Sequence, residues 1–211
     1  MKKAALFDLD GVVFDTEPIY SQFWGSVFKR YYPDQPGLEQ KIKGSTLVQI
    51  YDRYFAGRQS DQDSITKDLN EFEHNMPFRY IPGFESFIVA LRERGVKTAV
   101  VTSSNAEKMG NVYRAHPELS SYFDAVLTSE DFTRSKPDPE GYLKGAERLG
   151  FDPSECVGFE DSVNGLKSLN AAKVFTVGLD TTNPCEVVAE YADIVVSDFA
   201  TPEAILALFE E

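Results

Sequence analysis

Two aspartates one residue apart, Asp8 and Asp10, end an apolar run that starts at Ala4 and continues as AALFDLDGVVFDTE to Glu17. Ionised carboxylates at the end of a buried run are costly unless a cation or a metal ion compensates them. So placed, one carboxylate can act as a nucleophile and its neighbour as proton donor and acceptor. Alternate residues of an extended chain point the same way, so Leu9 spaces both acids onto one side, and Gly11 permits the sharp turn that follows. Further along stand a hydroxyl pair, Thr102 and Ser103, a cation, Lys136, and two more acids, Glu160 and Asp161. Four converging carboxylates repel by about 4 kcal/mol per pair at 4 Å in a protein-like dielectric, so the set calls for a divalent cation. Carboxylate oxygens suit Mg²⁺.

These residues need a scaffold that brings them to one edge. From Tyr80 onward short apolar runs alternate with helical patterns: GFESFIVALRERG places Phe84, Phe87, Ile88 and Leu91 on one helical face, and VKTAVVT follows as a strand. The alternation continues through a helix near Asn105 to Ala115, FDAVLT, PEGYLKGAERLG, CVGFED, SVNGLKSLNA, VFTVGL and DIVVS. Strand and helix in turn predict βαβ units and an α/β fold on a parallel sheet. Ligands of such sheets bind at the carboxyl ends of the strands, where Asp8, Asp10, Thr102, Glu160 and Asp161 fall. Ser103 and the amides opening the next helix make an anion site. Lys136 lies in SKPDPEGY, held by a helix start at Asp138 and Pro139.

Residues 15–80 differ. They are rich in Tyr, Phe, Gln and Asp and read as helices broken at YYPDQPG and FAGRQSD, an insertion between a core of residues 1–14 and 81–211. Tyr20, Phe23, Trp24 and Phe28 have helical spacing and form the core of the insertion, with Tyr20 also placed to face a substrate. Glu17 is either a helix-start acid or a substrate contact. His74 and His116 lack metal-ligand spacing and take surface or satisfied polar roles.

Asp8-Leu9-Asp10-Gly11-Val12, Thr102, Lys136 and Glu160-Asp161, in that order, resemble the four motifs of the haloacid dehalogenase superfamily. The resemblance covers nearly the whole chain. The insertion after the first motif and GFEDSVNG are similar to the subfamily of β-phosphoglucomutases and small phosphatases with a helical cap. It implies a Rossmann-like core and Mg²⁺-dependent phosphoryl transfer, with Asp8 as nucleophile, Asp10 as acid and base, Thr102 and Lys136 as charge-stabilising groups, and Ser103, Lys136, Glu17 and Tyr20 against the substrate. Asp8, Asp10, Glu160 and Asp161 are its implied metal-binding acids, Asp161 more directly than Glu160. A cap histidine and arginine of the mutases correspond to Tyr20 and Leu47 here, which favours hydrolysis of a small phosphorylated metabolite, such as a sugar phosphate, over isomerisation. A phosphoaspartate signalling module shares the Asp, hydroxyl and Lys, but neither this order nor the insertion suits one.

The formal net charge of −13 argues against nucleic acid and anionic membranes as partners. Asp8 and Asp10 interrupt the apolar start before it could serve as a signal segment, and no run reaches spanning length. Two cysteines are too few for a disulfide framework, so the expected location is the cytoplasm.

Overall fold

The computed structural model describes residues 1–210. Six strands, β1 (Ala4–Phe7), β2 (Lys97–Val101), β3 (Ala125–Leu127), β4 (Cys156–Glu160), β5 (Phe175–Leu179) and β6 (Ile194–Val196), form one sheet in the order β3-β2-β1-β4-β5-β6. All pairs are parallel. β1 is buried on both faces and sits centrally between β2 and β4, which is why its sequence is a continuous apolar run rather than an alternation. The chain reverses its direction of travel across the sheet at β1, so the carboxyl ends of β1, β2 and β4 meet where such sheets open a crevice.

Helices α1 (Glu17–Tyr31), α2 (Leu38–Lys41), α3 (Leu47–Tyr54) and α4 (Gln59–His74) follow β1 before the sheet resumes. Flanking the strands are α5 (Phe84–Glu93), α6 (Ala106–Ala115), α7 (Leu119–Tyr122), α8 (Glu140–Leu149), α9 (Val163–Ala172), α10 (Cys185–Val188) and α11 (Glu203–Leu206). Each strand expected from the apolar runs is present, because a parallel strand covered by helices leaves no polar alternation to obscure it. No described helix is long and apolar enough to cross a membrane.

One face of the sheet is filled by aromatic rings around Phe7, which stacks on Phe159 at 4.4 Å and meets Phe84, Phe87 and Phe123 edge-on. The helices of residues 15–80 have their own apolar cluster, including Trp24, Val27, Phe28, Phe55 and Ile65. Two adjacent crossings join them to the sheet. Asp15 N–H donates to the Arg79 carbonyl at 2.8 Å, Ile81 N–H to that of Val13 at 3.0 Å, and the Phe14 and Tyr80 rings stack at 4.8 Å. Elsewhere the helical part touches the sheet part through polar contacts, Asn70 to Glu107 at 3.2 Å, Lys43 to the Thr182 carbonyl at 3.4 Å and Asn164 to the Gly44 carbonyl at 3.3 Å, and through apolar ones, with Met76 and Phe78 in the apolar cluster of the sheet part and Ile19, Tyr20 and Phe72 packed against it.

Since Phe7 is fully buried at the centre of the aromatic layer, Phe7→Ala removes about 3–5 kcal/mol of stability, read as a lower urea midpoint at unchanged slope. A midpoint within error of wild type would contradict this account of the core.

Candidate active site

A cavity of about 630 Å³ lies between the carboxyl edge of the sheet and the helical insertion, with Asp8, Asp10, Thr102, Ser103, Lys136 and Asp161 on its sheet side. Asp8 follows β1 directly, and its backbone N–H still bonds to the Phe159 carbonyl at 3.0 Å, so the carboxylate is held by the sheet itself. Lys136 Nζ, 7 % exposed, donates to Asp8 Oδ1 and Glu160 Oε1, each at 2.6 Å, and to the Val101 carbonyl at 3.1 Å. One ammonium thereby bridges acids from two strands. Burial alone would favour its neutral form, but Asp8 and Glu160 outweigh that and hold it charged.

Glu160 is fully buried and both of its oxygens are occupied. One accepts from Lys136 and from the Tyr142 hydroxyl at 2.7 Å. The other accepts from Ser162 Oγ and from the backbone N–H groups of Asp161 and Ser162, each at 3.1 Å. Gly165, in the first turn of α9, leaves the space this carboxylate fills; an added Cβ there would collide with it. Asp161 is held at one oxygen by the Thr182 hydroxyl. Asp8 Oδ2 and Asp161 Oδ1 have no hydrogen-bond partner among the described residues.

Asp8, Glu160 and Asp161 each bring a carboxylate oxygen within 4.8 Å of the others. Burial pushes the Asp8 carboxyl up to about 7, with Lys136 acting against it and Glu160 and Asp10 adding to it. Burial likewise raises Asp161, reinforced by Glu160 and Asp8. Three crowded oxygen donors, two with open valences, fit a hard divalent cation such as Mg²⁺, which takes few protein ligands and keeps its waters.

Asp10 lies on the same cavity, but its carboxylate is not part of that cluster. β1 ends at Phe7, and past the strand the alternation that would align Asp10 with Asp8 is lost. Asp10 instead accepts from Lys108 at both of its oxygens, at 2.7 and 2.6 Å, from the Thr16 hydroxyl at 2.7 Å and from Ser104 Oγ at 3.1 Å. Burial pushes its carboxyl up, yet Lys108, Thr16 and Ser104 together hold it below the ordinary range. Thr102 is buried; its hydroxyl accepts from Ser104 N–H at 3.0 Å, and Ser103 beside it is half-buried on the cavity wall. From α1, Glu17 faces the cavity with Lys43 at 3.4 Å and Ser21 at 3.1 Å, and Tyr20 donates its hydroxyl to Glu73 at 2.6 Å. Glu17 starts α1 and lines the cavity. His116 lies outside, bonded to Glu118 and to the Phe78 carbonyl.

Lys108 and Glu73 were not singled out from the sequence. Each carries a signal nonetheless, because Lys108 stands in the first turn of α6 and Glu73 in the last turn of α4, where the helix dipole disfavours such charges. Tyr142 and Thr182, which hold Glu160 and Asp161, carry no such mark.

A parallel sheet with buried acids at its carboxyl edge, two of them bridged by a buried lysine, under helices inserted after the first strand, defines an α/β enzyme with an acid-lined cavity between sheet and helices. The chain belongs to the haloacid dehalogenase-like hydrolases, whose family model matches residues 2–173. It is 30% identical over 203 residues, 94% of both chains, to validoxylamine A 7'-phosphate phosphatase of Streptomyces hygroscopicus subsp. limoneus. Hexitol phosphatase B of Escherichia coli (strain K12) is 27% identical over 82% of each chain. Among solved structures, a family IA, variant 3 hydrolase from Entamoeba histolytica shares the fold with a TM-score of 0.84 at 20% identity, covering 99% of this chain and 100% of that one. β-Phosphoglucomutase from Clostridium difficile superposes with a TM-score of 0.79 at 23% identity, covering 99% and 97%.

Removing Lys136 strands two buried carboxylates. Lys136→Met costs about 3–5 kcal/mol of stability in chelator at pH 8 and less at pH 5, where the Asp8 carboxyl, pushed up to about 7, takes up its proton; equal loss at both pH values in urea titrations would contradict the pairing. The metal-free cluster also sets a pH dependence. The Asp8 carboxyl, at about 7 when folded against about 4 when unfolded, stabilises the fold fully below about pH 4 and loses that contribution as the pH rises through about 7. A divalent cation held by these acids would bind their ionised form, so the expected rise in Tm with Mg²⁺ over chelator is larger at pH 8 than at pH 5. A pH-independent rise would sink the assignment of the cluster as a cation site.

Proposed function

We propose that the chain is a Mg²⁺-dependent phosphatase of a small phosphorylated sugar or polyol, acting through a phosphoaspartate at Asp8. The observation that carries this reading is the Asp8 carboxylate itself: one oxygen is fixed on Lys136, while the other is unpartnered at the cavity beside Asp161. A nucleophile must be both held and open, and Asp8 is the acid here that combines attachment to the sheet with a free oxygen. Asp8 and Asp161 would hold the ion, with Glu160 anchoring Lys136 rather than offering a spare oxygen. Bound there, the ion offsets the cluster's negative charge and polarises the phosphoryl oxygens.

The Asp8 carboxylate attacks phosphorus, forming an O–P bond as the bond to the substrate's alcohol oxygen breaks. Asp10 delivers a proton to that oxygen, then takes one from the water that attacks the phosphoaspartate and releases phosphate. Lys136, the Thr102 hydroxyl and Ser103 stabilise charge on the equatorial oxygens. In the arrangement seen, Lys108 holds Asp10 as a carboxylate, its form as the base for water. Its turn as acid requires Asp10 to exchange the Lys108, Ser104 and Thr16 contacts for the leaving oxygen.

Residues 15–80 act as a cap that excludes water from the cavity and carries specificity. Leu47 is on its wall, and Tyr20 is bonded to Glu73, so neither position offers the cation or imidazole of a sugar phosphate mutase. The hexitol phosphate and validoxylamine phosphate phosphatases named above support a polyhydroxylated substrate.

The purified protein is expected to release phosphate from hexose and hexitol monophosphates with Mg²⁺ and to stop in chelator. Asp8→Asn falls to background, and Asp10→Asn loses about 10²–10⁴-fold in kcat. With glucose 1-phosphate and a catalytic bisphosphate, phosphate release exceeds glucose 6-phosphate formation. Near wild-type turnover by Asp8→Asn would refute covalent catalysis, and efficient isomerisation without phosphate release would overturn the hydrolase reading.

A further inference from the structure

Glu73 is only 8 % exposed, yet a single hydrogen bond reaches its side chain, from the Tyr20 hydroxyl to Oε1 at 2.6 Å. Oε2 has no partner among the described residues, and since no enclosed side-chain oxygen is left unbonded, Oε2 opens into the cavity that Glu73 lines. A carboxylate so deeply placed is a strong acceptor awaiting a donor. Burial pushes its carboxyl up, with Lys108 offsetting part of the rise.

The charges around it narrow what that donor can belong to. Three lysines line the cavity, and all are engaged: Lys43 with Glu17 at 3.4 Å, Lys108 with Asp10 at 2.6 Å, and Lys136 with Asp8 and Glu160 at 2.6 Å. No arginine or histidine among the described residues lines it, whereas Glu39 and Glu107 add acids without a cationic partner. A second phosphate or a carboxylate would need charge-assisted donors that this wall does not spare. Hydroxyl groups need the opposite, an acceptor, and Glu73 provides it.

We propose that Glu73, steadied by Tyr20, holds the substrate's end remote from the phosphate through its hydroxyl groups, selecting sugar and polyol monophosphates against bisphosphates and phosphorylated carboxylic acids. This rests on the phosphatase reading and names the substrate class of that site. Tyr20 links Glu73 to the acid-base group: its hydroxyl bonds to Glu73, while Lys108, the partner of Asp10, lies 4.6 Å above its ring. A substrate hydroxyl on Glu73 is thereby placed against the same aromatic wall that borders the acid-base group.

The test is steady-state phosphate release by wild type, E73Q, E73K and Y20F on a hexitol phosphate, fructose 1,6-bisphosphate, 3-phosphoglycerate and p-nitrophenyl phosphate, which lacks hydroxyls. Wild type favours the hexitol phosphate over the bisphosphate and the phosphoglycerate by about ten-fold or more in kcat/KM. E73Q loses at least about ten-fold more on the hexitol phosphate than on p-nitrophenyl phosphate, chiefly through KM. Y20F shifts the same ratio in the same direction, and E73K moves preference toward the two anionic substrates. Equal losses on both monophosphates, or a wild-type preference for the bisphosphate or the phosphoglycerate, would overturn the role of Glu73 while leaving the phosphatase intact. No phosphate from any substrate, p-nitrophenyl phosphate included, would overturn the phosphatase reading and this inference with it.

Discussion

A buried ammonium holds two buried carboxylates at the end of adjacent strands, and the remainder of the site is arranged around that contact. Lys136 reaches Asp8 after β1 and Glu160 at the end of β4, each at 2.6 Å. Taking such charges out of water is repaid only where geometry is good and the remaining valences are met. Glu160 meets that condition through five donors, and Gly165 leaves the room it requires. Asp8 meets it only in part, keeping one oxygen open. The asymmetry separates an acid that anchors from an acid that can react.

Asp10 is governed by a second lysine in the same manner. Lys108 is 4 % exposed and grips both Asp10 oxygens, drawing them away from the Asp8 cluster. Two neighbouring acids in one chain segment therefore sit in opposed fields: Asp8 is raised by burial and nearby acids, Asp10 lowered by a paired cation. Pushing the proton affinities of two carboxylates apart is how one site divides nucleophilic and proton-transfer roles. The lysine that does this comes from α6 of the sheet part, yet lies over a ring from α1, so the state of Asp10 depends on where the inserted helices rest.

That insertion meets the sheet part at the crossing of residues 13–15 and 79–81, through polar side chains, and through Ile19, Tyr20, Phe72, Met76 and Phe78 in the apolar cluster of the sheet part, while Trp24, Phe28 and Phe55 belong to a cluster of its own. The cavity wall has every lysine matched to an acid, which leaves carboxylates rather than cations as the spare recognition groups.

The sequence by itself determined the parallel sheet, the strand ends and most of the candidate site. Buried strands such as AALF and CVGFE are continuous apolar runs, and the polar residues that stop them stand out: Asp8, Thr102, Glu160 and Asp161. Periodicity also marked residues 15–80 as helical, with Phe23, Trp24 and Phe28 in its core. Only the tertiary structure decided which acid pairs with which cation. Asp8 and Asp10 look equivalent in DLDG, but Lys136 and Lys108, 128 and 98 residues away, treat them differently. Glu160 and Asp161 are likewise adjacent, yet one is enclosed by donors and the other left half open. Electrostatic roles of this kind are set by distances of a few ångströms between residues remote in the chain, and a linear pattern records residue types and local periodicity but not those distances.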